Sequence, residues 1–213
     1  MVNQLEIEQK IAEFLLQIKA IKLQPSNPFT WASGWKSPIY CDNRITLSHP
    51  TIRTYIRQKL TALIQDQFGT VDCIAGVATA GIPQGALVAQ ELGLPFIYVR
   101  AKAKEHGTGS LIEGEVKEGQ RVVVIEDLIS TGKSSLQAVQ ALRDAGCVVA
   151  GLAAIFTYGF EKADESFKEA KCPYFTLSNY SALISYAAEH HMINPNDLAL
   201  LEDWRTNPET WGK

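Results

Sequence analysis

Residues 122–135 read VVVIEDLISTGKSS. Four consecutive β-branched residues suit a strand buried on both faces, as in the middle of a parallel sheet. The strand delivers two adjacent carboxylates, Glu126 and Asp127, at its carboxyl end, and the small-residue turn that follows opens a helix. Ligands of open α/β sheets bind at this edge. The turn Ser130-Thr131-Gly132-Lys133-Ser134 offers backbone N–H groups, hydroxyls and about half a positive charge from the helix N-terminus, which together suit a phosphate monoester. Carboxylates beside a phosphate would repel it unless they face another part of the ligand, and sugar hydroxyls fit that role. A ribose 5-phosphate carries both features.

Two other readings of the stretch are available. An acidic strand end followed by a helix with Ser130 or Thr131 as its N-cap explains one hydroxyl and leaves the two carboxylates and Gly132 unexplained. A nucleotide-binding P-loop shares Gly132-Lys133-Ser134 but requires a glycine where Asp127 stands.

Outward from this strand, residues 71–156 alternate short apolar runs with helical segments: VDCIAGV, GIPQGALVAQELG, PFIYVR, then, beyond the central strand, SSLQAVQALRDAG and VVAGLAAIF. That alternation predicts an α/β fold with a parallel central sheet flanked by helices. Residues 101–119 interrupt it with Lys, Glu, Gly and Thr, and a long polar loop of this kind reads as a mobile lid. Upstream, Ile7, Ile11, Phe14, Leu15 and Ile18, and again Ile52, Ile56, Leu60, Leu63 and Ile64 after Ser48-His49-Pro50, recur at helical spacing. Between these two helices lies PFTWASGWKSPIYCDNR, rich in aromatics, Gly and Pro, which suits a hairpin or ordered loop and is a candidate base-binding lobe. After Tyr158 further helical stretches are expected, ending in a polar tail with Trp204 and Trp211.

With 213 residues, 46% hydrophobic and 20% charged, the chain has the composition of a soluble globular enzyme. One domain over 1–213 is expected. The net charge of -3 gives no electrostatic reason to expect nucleic acid or an anionic membrane as a partner. The N-terminus MVNQLEIEQK is acidic where a secretion signal is basic, and no stretch approaches the roughly 20 apolar residues of a membrane span. Cys41, Cys73, Cys147 and Cys172 lack metal-ligand spacing, so reduced thiols in a cytoplasmic protein are expected. His190 and His191 end a helical stretch and have no companion ligands, His49 reads as a helix entry, and Trp204 and Trp211 as packing residues.

Three segments carry a family resemblance. VVVIEDLISTGKSS resembles the binding motif for phosphoribosyl pyrophosphate (PRPP) of the type I phosphoribosyltransferases. YVRAKAKEHGTGSLIEG, with Arg100, Lys102, Lys104 and His106, resembles the catalytic loop of the orotate phosphoribosyltransferases, and SGWKSPIYCDNR resembles their orotate-pocket segment. The resemblance implies the type I phosphoribosyltransferase fold: a core over about 51–160, a small N-terminal hood over about 1–50 joined by C-terminal segments, and a flexible catalytic loop. It implies that Glu126 and Asp127 bind the ribose hydroxyls, and that Leu128, Ile129, Ser130, Thr131, Gly132, Lys133 and Ser134 wrap the 5-phosphate. Arg100, Lys104 and His106 would contact the pyrophosphate as the catalytic cations, reaching into the neighbouring subunit of a homodimer. GVATAGIP resembles the pyrophosphate loop, whose small residues let backbone N–H groups approach a diphosphate.

Orotate would meet Ser130 and Tyr40, with Lys36 and Arg44 as the nearby cations. Mg²⁺ would be held mainly by substrate oxygens, so no protein ligand is named for it. The chain has Ala101, Ala32, Tyr158 and Ala80 at positions where, by the resemblance, some members of the family carry Lys or Arg. A purine phosphoribosyltransferase or a PRPP-sensing regulator would share residues 126–134. The lid and the SPIYCDNR segment disfavour the first, and the absence of a basic face disfavours the second.

Overall fold

Strand β8 (Arg121–Ile129) runs through the middle of a six-stranded sheet in the order β10-β9-β8-β5-β6-β7. The flanking strands are β5 (Cys73–Val77), β6 (Phe96–Val99), β7 (Ile112–Glu113), β9 (Val148–Thr157) and β10 (Tyr174–Asn179). All neighbours pair in parallel except β7, which runs antiparallel to β6. This computed structural model describes residues 3–31, 33–102 and 110–212.

Alternation along β8 explains why its apolar run has no polar face. Val123 and Ile125 enter one core, and Val122 and Val124 enter the other. The first core is covered by α1 (Gln4–Gln17), α2 (Pro50–Phe68), α3 (Gly81–Leu92), α6 (Tyr180–Glu189) and α7 (Leu198–Thr206), through residues such as Leu15, Leu60, Val88, Leu183 and Leu201. The second is covered by α4 (Lys133–Asp144) and α5 (Glu161–Glu169), through Val139, Leu142 and Phe167. The α/β expectation with a parallel central sheet therefore holds.

Three local expectations need correction. Residues 174–179, taken as part of a helical region, form edge strand β10 beside β9. The sheet's open edge satisfies the backbone of this short segment, and Leu177 enters the first core. The polar stretch 101–119 is not a loop throughout. Ile112–Glu113 pairs with β6, and Leu111, Ile112 and Val116 pack on the second core. Residues 103–109 lie outside the described residues. Finally, Glu126 and Asp127 do not end their strand, since β8 continues to Ile129 alongside β9.

The hood consists of two small antiparallel pairs, β1 (Ile21–Leu23) with β4 (Ile39–Cys41) and β2 (Phe29–Thr30) with β3 (Lys36–Ser37). The aromatic segment is thus a hairpin, as its Gly and Pro content suggests. Its pairing to β1 involves residues that carry no strand signal of their own. Among the described residues no helix is long and apolar enough to cross a membrane, and all four cysteines are free, three of them buried.

Candidate active site

Strand order places the site. The chain enters the sheet at β5, moves to β6 on one side and returns to β8 on the other, so the connections after β5 and β8 diverge and leave a crevice between their carboxyl ends. Each of these strands runs into a helix whose N-terminus has no side-chain cap: α3 behind Ala80 and α4 behind Gly132. The α4 end leaves the N–H groups of Lys133, Ser134 and Ser135 for a ligand, whereas at α3 the Ile82 N–H donates to the Thr79 carbonyl and Pro83 has no N–H, so that end offers at most Gly81; both helix dipoles favour an anion. This excludes the reading of Ser130 or Thr131 as an ordinary N-cap. Close approach of α3 to β8 depends on Gly81, where a Cβ would come within 2.4 Å of the Ile125 carbonyl oxygen.

Between the two helix ends sit the carboxylates. Glu126 is 5% exposed and accepts hydrogen bonds from Ser135 Oγ and the Asp127 N–H, each at 3.1 Å. Burial, and secondly the charge of Asp127, push the Glu126 carboxyl well above its ordinary range. Burial also raises Asp127, against its hydrogen bond with Glu126. The pair thus favours holding a proton until a ligand supplies donors or positive charge. Asn43 of the hood donates to the Asp127 carbonyl at 2.7 Å, tying the hood to this point of β8.

The raised Glu126 has a consequence for stability. Above its ordinary value of 4.5 the unfolded chain has released this proton while the folded protein retains it, so stability falls as pH rises through that window. Glu126→Gln removes the penalty. In the ligand-free protein it is expected to raise the melting temperature at pH 8 by about 2–4 °C, for roughly 1 kcal/mol. The gain should vanish near pH 4, where both states are protonated, and a gain independent of pH would contradict this cause.

The other candidate residues fall into groups. Arg100, at the end of β6, lines a cavity of about 330 Å³ together with Val77, Ala78 and Ser134, so the cation, the GVATAGIP loop and the start of α4 face one space. Its guanidinium lies 3.5 Å from Glu113. Ser130, Thr131 and Lys133 line a larger cleft of about 980 Å³ with Trp31, Ser33 and Trp35 of the hood. Ile129 is fully buried and Leu128 packs against the first core, so these two can offer a ligand only backbone groups. Lys104 and His106 lie outside the described residues.

Around the expected base position, Tyr40 is 39% exposed and tilted against Phe29, with ring centroids 5.6 Å apart. Arg44 is engaged by Asp42 through two bonds of 2.6 and 2.9 Å, and this guanidinium holds the Asp42 carboxyl below its usual range. An exposed pair of this kind is worth only about 0–1 kcal/mol, so a ligand carboxylate can share Arg44 at low cost. Lys36 donates to Thr30 Oγ1 at 2.9 Å on the hood rim. Tyr158, immediately after β9, is 2% exposed. Burial raises its hydroxyl well above the ordinary phenol range, so it stays neutral and cannot replace a cation.

Trp31, Ser33, Trp35 and Asn43 fall within the segment expected to be a base-binding lobe but were not singled out there, and Ser135 was not expected at the site. The two tryptophans flanking Gly34 were the available signal. Nothing local distinguishes Asn43, whose partner is 84 positions away. Among the described residues no group of three or more His, Cys, Asp or Glu could hold a metal ion. His190 instead stacks on Tyr186, with centroids 3.9 Å apart.

A switch-point crevice with an acidic pair and an uncapped phosphate-sized turn is the arrangement of an enzyme handling a sugar phosphate. Residues 46–190 match the phosphoribosyl transferase domain, and the chain belongs to that family. It is 58% identical over 205 residues to the orotate phosphoribosyltransferase of Bacteroides thetaiotaomicron, covering 96% of this chain and 97% of that one. It is 54% identical over 209 residues to the Listeria innocua enzyme of the same name, covering 98% and 100%. Within the family, then, the chain is a member of the orotate phosphoribosyltransferases. Among solved structures, Aeropyrum pernix orotate phosphoribosyltransferase superposes with a TM-score of 0.75 at 27% identity, covering 86% of this chain and 99% of that one. Leishmania donovani UMP synthase gives 0.78 at 27% identity, over 93% of this chain and 42% of that longer one.

Proposed function

We propose that the chain transfers the ribose 5-phosphate group of PRPP to orotate, giving orotidine 5-phosphate and pyrophosphate in pyrimidine (UMP) biosynthesis. The acidic pair between two uncapped helix N-termini is the observation that carries this reading, because it supplies acceptors for ribose hydroxyls beside donors for phosphates. The 5-phosphate sits on the Ser130–Ser134 turn, and the ribose 2- and 3-hydroxyls donate to Glu126 and Asp127. The diphosphate faces Arg100 and the backbone of residues 77–81. Orotate lies under the hood, against Tyr40 and Ser130, with Lys36 or Arg44 meeting its carboxylate. Its N1 bonds to C1 of the ribose as the bond to pyrophosphate breaks and the N1 proton leaves for the departing pyrophosphate, so positive charge grows on the ribose and negative charge on the leaving group in the transition state. Arg100, Lys104 and His106 stabilise the latter, and closure over the site excludes water that would hydrolyse PRPP.

The donor set suits Mg²⁺ held mainly through substrate oxygens, since the acidic pair offers two carboxylates and no complete cage. When bound, the ion neutralises charge on the departing diphosphate. The chain is read as one catalytic domain, acting in the cytoplasm as a homodimer with sites shared across the interface.

Loss of orotate absorbance that requires both PRPP and Mg²⁺ tests base, donor and metal together, and turnover of adenine or hypoxanthine in its place would overturn the choice of base. Asp127→Asn is expected to weaken PRPP binding about 10-fold by removing a charge-assisted acceptor. An unchanged PRPP affinity in calorimetry would count against the ribose-hydroxyl role.

A further inference from the structure

The family match ends at residue 190, leaving outside it both the hood strands and helix α7. These two regions meet through one side chain. Trp204 of α7 is 0% exposed, and its indole N–H donates to the Lys36 carbonyl of β3 at 3.2 Å. Its ring stands edge-on to Trp31, with centroids 5.7 Å apart at 84°, and edge-on to Tyr158 at 5.6 Å and 87°. Phe160 and Tyr180 complete the surround, each at 5.4 Å. Trp31 in turn donates its own indole N–H to the Ile39 carbonyl at 3.2 Å. Two packed indoles therefore hold the two ends of the Lys36-Ser37-Pro38-Ile39 segment, and Tyr40 is the next residue.

We propose that Trp204 is a positioning residue for the orotate subsite, setting the height of the hood above β8 through the Lys36 carbonyl and the Trp31 ring. The inference rests on the reading of Tyr40 as the base platform. The hood's β-pairs are two or three residues long, too short to be stable alone, so their placement must come from contacts with the rest of the fold. The Asn43 bond to β8 supplies one such anchor and the Trp204–Trp31 pair supplies another. The first lies beside the proposed ribose-binding carboxylates and the second holds the segment that leads into Tyr40; Trp204 itself is not part of the cleft at the Ser130–Lys133 turn, so its loss should affect orotate more than PRPP. The phosphate turn and the acidic pair belong to β8 and α4 and do not depend on α7.

Trp204→Phe keeps an aromatic ring in the core and removes the N–H donor. In steady-state kinetics with each substrate varied, it is expected to raise KM for orotate about 3- to 10-fold, the loss of one hydrogen bond, with KM for PRPP changed less than about twofold. Trp31→Phe, which removes the other donor, should also raise KM for orotate; because Trp31 lines the cleft of the Ser130–Lys133 turn, selectivity against PRPP is required only of Trp204→Phe. The double variant should fall short of the product of the two effects, because both substitutions loosen one segment. Equal rises in both KM values for Trp204→Phe, or an unchanged KM for orotate in both single variants that retain the wild-type melting profile, would overturn the proposal. Absence of orotate turnover by the wild-type enzyme would instead defeat the underlying activity, so the two failures are distinguishable.

Discussion

Lys104→Ala is expected to lower kcat about 100-fold or more while PRPP still binds, because on the proposed reading the side chain acts where negative charge develops on the leaving group. If PRPP binds as proposed, the α4 helix end, the acidic pair and Arg100 already hold its ground state, so removing one cation costs more in the transition state than in binding. A stopped assay with saturating orotate and PRPP, beside calorimetric PRPP affinity, separates the two effects. An unchanged kcat would show that residues 100–106 are not the catalytic loop.

The second large effect is expected at Gly132. Its φ of +77° lies in the left-handed region, and a Cβ there would come within 2.7 Å of the Phe167 ring. Gly132→Ala must therefore strain the backbone at the helix cap and displace the packed Phe167 of α5. A destabilisation of about 1–3 kcal/mol is expected. Because the turn presents the N–H groups of the phosphate site, PRPP affinity should fall at least about 10-fold even below the melting transition. Wild-type affinity in the folded variant would remove Ser130–Ser134 as the phosphate cradle.

The two variants together also test the shared site. If the lid of one protomer serves its partner, a mixture of Lys104→Ala and Gly132→Ala chains forms heterodimers with one intact site, and activity should recover to about a quarter of wild type at equal mixing. A lid acting within its own chain gives no recovery.

Much of the site was legible because the residues concerned are local in sequence. The β-branched run of β8, the adjacent carboxylates and the small turn opening α4 fall within fifteen positions, and each declares itself by residue type. Arg100 could be placed at a strand end because PFIYVR is a recognisable strand. The edge strand at residues 174–179 was not legible. A six-residue segment flanked by helices carries too little periodicity to announce its pairing, and only the open edge of β9 selects it.

Periodicity was enough for the α/β class, and chain direction at a strand end together with residue chemistry was enough to expect a ribose-phosphate cradle at residues 126–134 and a cationic loop at residues 100–106. Tertiary structure alone decided the rest. Burial of Glu126 beside Asp127 biases that pair toward holding a proton, the missing side-chain cap on α4 leaves N–H donors at the turn after β8, and Asn43 and Trp204 tie the hood from positions remote along the chain. The physical reason is common to all three. Desolvation, hydrogen-bond satisfaction and packing are properties of what surrounds a residue in space, and for these residues the decisive neighbours come from other elements of the fold.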